Sequence, residues 1–213
     1  MTDKFLDRYM KEYDGLNDYY LPIFELINKK YIPRKVLYPG SYIHITPSLV
    51  FPYVVYVDFT KGVKGFFKDE SVLSFIENHK SYEESPELAF YFSDYRSNFL
   101  KIIETYDLLI SLNAGLISTA CKKHLRKGGL LLVNDEHYDA RTAFVDNDFR
   151  FIAVYDKSSK DFNYSQAMLK KYFKTKKGLT ITSEMIKDSI TKSPSKDPYK
   201  TKFQSAFYLF EKK

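Results

Sequence analysis

Residues 36–60 read VLYPGSYIHITPSLVFPYVVYVDFT, and the fold follows from how this stretch divides. Val36-Leu37-Tyr38 is a short apolar run that stops at Pro39-Gly40, and Tyr53 to Val57 is a β-branched and aromatic run that stops at Asp58. The pattern predicts strand, turn, connector, strand. Thr46-Pro47 reads as a helix start, but Pro52 leaves room for only a turn or two. In open α/β sheets ligands bind beyond the carboxyl ends of the strands, and here those ends carry a glycine turn and a lone carboxylate. Gly40 would let backbone approach a nucleoside-like ligand, and Asp58 would accept hydrogen bonds from a ribose diol.

A dinucleotide site needs Gly-x-Gly-x-x-Gly opening a full helix, because the pyrophosphate requires close backbone approach and the helix dipole. The matching positions here are Gly40, Tyr42 and Ile45. That spacing disfavours a nicotinamide dinucleotide, whereas S-adenosylmethionine carries no phosphate and tolerates a looser loop; a tight turn in a sheet with no ligand fits the same residues equally well.

Outward from this stretch the rhythm repeats. Residues 3–29 show helical spacing broken at Gly15, so two helices precede the first strand. After Asp58 come an amphipathic helix over 66–79, a strand at Leu88–Phe92 that places Asp94 beyond its end, and a short helix at 98–104. A fourth strand, 106–112, ends at Asn113-Ala114-Gly115. A helix through Leu116 to Leu125 stops at Lys127-Gly128-Gly129, and Leu130–Val133 is a buried strand ending at Asn134-Asp135-Glu136-His137. Continuous apolar strands separated by helices imply a parallel sheet covered on both faces. The carboxyl end departs from this: a sixth strand at Phe149–Tyr155, a helix over 164–173, a lysine-rich loop, and a seventh strand at Phe203–Phe210, read as antiparallel. The expectation is a doubly wound, mostly parallel, seven-stranded α/β sheet in a single domain, residues 1–213. Residues 1–30 form its helical cap and 157–202 a Lys-rich insertion.

Composition bounds the function. At 213 residues, 44% hydrophobic and 28% charged, the chain suits one sizeable core. A single cysteine, Cys121, excludes an intrachain disulfide, and no apolar run reaches the roughly 18 residues of a membrane span. A cytoplasmic setting without a membrane partner is the expectation. The net charge of +6 is concentrated: residues 157–202 hold twelve Lys against four acids. Such a segment would suit an anionic partner, nucleic acid included, but it has no Arg for specific phosphate recognition.

A five-βα sheet closed by an antiparallel strand, with an acid ending strand two, resembles the class I S-adenosylmethionine-dependent methyltransferases. Tyr38-Pro39-Gly40-Ser41 matches their glycine turn, Asp58 their ribose-binding carboxylate, Leu112-Asn113-Ala114-Gly115 their strand-four motif, and Leu125–Gly129 their turn before strand five. YPGSYIHITPS and LISLNAG are similar to a bacterial methyltransferase-like group with a divergent glycine loop, since only Gly40 remains where many relatives keep two or three glycines. The resemblance implies a Rossmann-like fold, S-adenosylmethionine as cofactor and a transferase acting on a small molecule. It implies cofactor contacts from Pro39, Gly40, Ser41, Tyr42, Asp58 and Asp94.

Methyl transfer asks the protein chiefly to align nucleophile, methyl and leaving sulfur, with a base for some acceptors. Asn113, Asp135 and His137 are the catalytic candidates: Asn113 to position an acceptor, His137 as a base titrating near neutrality, Asp135 beside it or as a helix cap. Asp135 and His137 with Asp58 or Asp94 could also form an oxygen and nitrogen metal set, though their spacing is no signature and no metal is assigned. His44 reads as a loop hydrogen-bonding residue. The competing reading is a methyltransferase-fold binding or regulatory protein that contacts an anionic partner through its lysines.

Overall fold

The computed structural model describes residues 4–97, 105–192 and 196–213. The chain packs as two compact units, Met1–Leu108 and Leu109–Lys213. Its described strands form one eight-stranded sheet in the order β3-β2-β1-β4-β5-β8-β6-β7, and β4 (Tyr106–Ser111) is the strand in which one unit ends and the other begins.

In the first unit, α1 (Lys4–Tyr13) and α2 (Leu21–Tyr31) precede β1 (Lys35–Pro39), as the helical spacing anticipates. A 3-10 turn at Thr46–Leu49 fills the short connector, with Pro47 at its start. β2 (Tyr53–Asp58) then pairs parallel to β1, and β3 (Glu87–Phe92) pairs parallel to β2. The helical pattern over 66–79 resolves into α3 (Val63–Phe66) and α4 (Glu70–His79). The break comes where Asp69 turns extended and caps α4 by accepting from the Ser71 N–H. The helix expected at 98–104 lies outside the described residues. Val36, Leu37, Val54 and Val57 are fully buried, which explains why these strands read as continuous apolar runs rather than alternating ones.

In the second unit, α5 (Ile117–Cys121) is shorter than its pattern suggests. It passes through a 3-10 turn at Lys122–His124 into β5 (Leu125–Val133). Lys127-Gly128-Gly129 is therefore no helix stop. Gly128 does take a left-handed φ of 71°, but within the exposed start of the strand, and a Cβ on Gly129 would lie 2.8 Å from Leu125. α6 (Asp139–Val145) leads to β6 (Phe149–Asp156) and a three-residue hairpin partner, β7 (Asp161–Asn163). β7 is too short to carry a pattern, so the sheet has eight strands where seven were expected.

Two further expectations are corrected here. The helix placed over 164–173 is the single turn α7 (Gln166–Leu169), and the lysine-rich loop contains α8 (Ser183–Ile190), capped by the Thr182 hydroxyl accepting from Met185 N–H. The last strand, β8 (Tyr208–Lys212), starts five residues later than its aromatic run suggests. The Ser205 hydroxyl bonds the Tyr155 carbonyl and holds the preceding residues in a turn. β8 runs antiparallel to both β5 and β6, as expected for the closing strand.

Candidate functional site

In the first unit the candidate residues gather at the carboxyl ends of β1 and β2. Pro39 ends β1 buried, and Gly40 takes φ 64°, with its N–H donating to the Val57 carbonyl at 2.7 Å. A glycine suits that conformation. Tyr42 two residues on also has positive φ, 50°, where a side chain is strained. Asp58 holds it there: Oδ2 accepts the Tyr42 N–H at 2.8 Å while Oδ1 accepts the Thr60 N–H at 2.7 Å. Asp58 is 7% exposed, so these bonds also serve to keep a buried carboxylate satisfied.

The Tyr42 ring lies under the Arg8 guanidinium, 4.9 Å from its centroid, and its hydroxyl reaches Glu12 at 3.5 Å. Helix α1 thus packs over the loop. Ser41 is buried and its hydroxyl reaches the Tyr42 carbonyl at 3.4 Å. Asp94, past β3, is chelated by Arg96 and held below the usual carboxylate range by that hydrogen-bonded ion pair.

His44 takes part in a buried network that the sequence gives no direct sign of. Its Nε2 donates to Asp18 at 2.7 Å, which leaves Nδ1 to accept from the Tyr38 hydroxyl at 3.0 Å. Thr46 also donates to Asp18 and in turn accepts from Tyr9 at 2.9 Å. Tyr13 stacks on the imidazole at 4.3 Å. This ring is a loop-organising group, as its position in sequence suggested. Tyr9 and Tyr38 are pushed well above the usual phenol range by burial, so both stay protonated and able to donate.

In the second unit the sites lie past β4 and β5. Asn113, at φ 58°, pairs with Asn134: its N–H donates to Asn134 Oδ1 at 3.3 Å and its own Oδ1 accepts from Asn134 Nδ2 at 2.5 Å. Asp135 accepts the Arg141 N–H at 3.0 Å and Arg141 Nε at 2.7 Å, so it does satisfy the first turn of α6. Arg141, only 4% exposed, continues to Asp197 at 2.9 Å, and Asp197 also accepts from Ser189 at 2.7 Å. Burial pushes the Asp135 carboxyl up to about 6 despite Arg141. Burial would raise Asp197 too, but the bonds from Arg141 and Ser189 outweigh it and hold that group below its usual value.

Asp135, Arg141 and Asp197 line a cavity of about 400 Å³ together with Asn134, Tyr138, Gln204 and Tyr208; Asn113 does not line it. His137 is exposed and does not line it. Asp139, Arg141, Asp197 and Tyr138 were not anticipated as site residues. Asp139 is buried and accepts from the Ser111 and Ser118 hydroxyls, each at 2.5 Å; burial raises its carboxyl and those bonds partly offset the rise. Arg141, one of three arginines among the many lysines of residues 109–213, and an aspartate before Pro198 were the available signals. Among the described residues no group of three or more His, Cys, Asp and Glu is arranged to hold a metal, and no helix is long and apolar enough to cross a membrane.

The strand order decides the fold. Three parallel strands β3-β2-β1 precede β4 and β5, and the late strand β8 inserts antiparallel between β5 and β6. The fold is that of the class I S-adenosylmethionine-dependent methyltransferases. No family model matches this chain, and no curated protein matches it. Among solved structures, it is similar to the O-methyltransferase TomG from Streptomyces achromogenes, crystallised with S-adenosylmethionine (13% identity, 76% of this chain and 87% of that one, TM-score 0.45). It is similar to a methyltransferase from Geobacter sulfurreducens (16%, 72% and 85%, 0.46) and to the plantazolicin methyltransferase BpumL, solved with S-adenosylhomocysteine (9%, 99% and 90%, 0.46).

Proposed function

We propose that this chain is an S-adenosylmethionine-dependent methyltransferase with a small-molecule acceptor. The observation that supports it most is Gly40 at φ 64° beside the buried Asp58, at the strand where the sheet order reverses. Each Asp58 oxygen spends one lone pair on a backbone N–H and keeps another for a ribose hydroxyl. Pro39, Gly40, Ser41 and Tyr42 would line the cofactor, and Asp94 would accept from its adenine amino group. Asn113, Asp135 and His137 are the proposed acceptor-side groups, with Asn113 positioning and Asp135 the more enclosed base.

Thermal-shift titration with S-adenosylmethionine, S-adenosylhomocysteine and NAD tests the reading, because a ligand bound only by the folded state raises Tm. The first two should raise it and NAD should not. Loss of the shift in Asp58→Ala would support the site; no shift in the unaltered protein would sink it. One observation favours a second reading, a methyltransferase-fold binding protein without transfer. Tyr42 is held against α1 in the loop where the cofactor would enter. Absence of S-adenosylhomocysteine binding by calorimetry would select it.

A further inference from the structure

The cavity past β5 holds groups other than those proposed to line the cofactor. Its carboxylates are Asp135, Glu136 and Asp197, against the cations Arg141 and Lys200. Arg141 is paired with two of those carboxylates through Nε and Nη1, so its charge is largely compensated. Asp135 spends one lone pair per oxygen on Arg141 and keeps the others. Tyr138 lies with its ring 4.9 Å from the Arg141 guanidinium, and its hydroxyl oxygen is buried with no hydrogen-bond partner among the described residues. Buried hydroxyls are nearly always paired, so the Tyr138 oxygen calls for a partner, an ordered water or an atom of a bound molecule. The volume of about 400 Å³ falls in the ~300–1,000 Å³ range of small-ligand sites.

We propose that this cavity binds a small amine, with Asp135 and Glu136 facing the ammonium and the Tyr138 hydroxyl meeting a polar atom of the same molecule. An excess of carboxylate in a partly enclosed space favours a cation over an anion of equal size. Burial already strains the ionised form of Asp135, and an incoming ammonium relieves that. The amine's role as methyl acceptor rests on the methyltransferase reading; its binding does not.

Calorimetry and thermal shift on the full chain without cofactor would use tyramine as probe and 4-hydroxyphenylacetate, its anionic counterpart, as control. Tyramine should raise Tm by about 3 °C or more at saturation, and the anion should not. Tyr138→Phe removes an oxygen with no protein partner and should weaken tyramine about tenfold. Glu136→Gln, an exposed change, should weaken it about threefold. No heat with tyramine, equal binding of the anion, or undiminished tyramine affinity in both variants would overturn the proposal. A parallel S-adenosylhomocysteine titration separates the two readings. Amine binding without it removes the methyltransferase reading and leaves the amine site, whereas nucleoside binding without amine binding does the reverse.

Discussion

The Tyr42 N–H donates to Asp58 Oδ2 at 2.8 Å, and this one bond ties the loop after β1 to the end of β2 while the tyrosine sits at φ 50°. Asp58→Ala leaves that N–H and the Thr60 N–H without their acceptor. It should cost on the order of 2–3 kcal/mol in urea unfolding and abolish the S-adenosylhomocysteine shift. Asp58→Asn keeps one accepting oxygen and should lose about half as much stability. Equal stability of all three proteins would show that the loop is held by other means.

The pair His44 and Asp18 is nearly sealed from water, with side chains 1% and 2% exposed. His44→Ala would leave the Tyr38 hydroxyl without its acceptor and Asp18 with only the Thr46 hydroxyl and the Tyr20 N–H, at a cost of about 3 kcal/mol. Hydrogen exchange should then quicken at α2 and the Thr46–Leu49 turn before it quickens at β2. Uniform acceleration across the first unit would contradict this local role.

Asp139 is the second unit's counterpart, receiving two serine hydroxyls and the Ser118 N–H. Asp139→Ala should destabilise by about 3 kcal/mol, because donors from both β4 and α5 lose their acceptor in the interior. Double substitution with Ser111→Ala should cost less than the sum, since the serine's donor leaves with it. Strict additivity of the two would argue that they do not share the bond.

Stability should also depend on Asp135. Its folded-state value of about 6 lies above the ordinary 3.8, so the folded protein holds this proton more tightly than the unfolded chain does. The group's contribution is complete below about pH 3.8 and is lost as pH rises through about 6. Asp139, raised by burial, acts in the same direction, so the comparison must be with Asp135→Asn. Between those pH values the unaltered protein should lose more stability than the variant. A parallel course of the two curves would place the Asp135 carboxyl near its ordinary value.

Much of this architecture was readable because buried parallel strands leave unbroken apolar runs. Val36–Tyr38, Tyr53–Val57 and Leu130–Val133 announce themselves, and so do the residues that end them. β7 gave no signal at three residues, and α8 was hidden because its lysine, serine and threonine surroundings resemble a loop. The aromatic run before Phe210 overstated β8, since Phe203 and Phe207 pack as turn residues rather than strand. Asp58 was legible as a strand-ending acid. Asp139 was not, because its partners Ser111 and Ser118 stand 28 and 21 residues away, and no local pattern encodes such a meeting.

Insertion of β8 between β5 and β6 has a consequence for biosynthesis. The β6 and β7 hairpin leaves the ribosome before the strand that joins it to β5 has been made. Until Tyr208–Lys212 emerges, two apolar strand edges face solvent in the nascent chain, and unpaired edges of this kind recruit other chains. A stalled or prematurely terminated product lacking those residues should therefore be the form that aggregates.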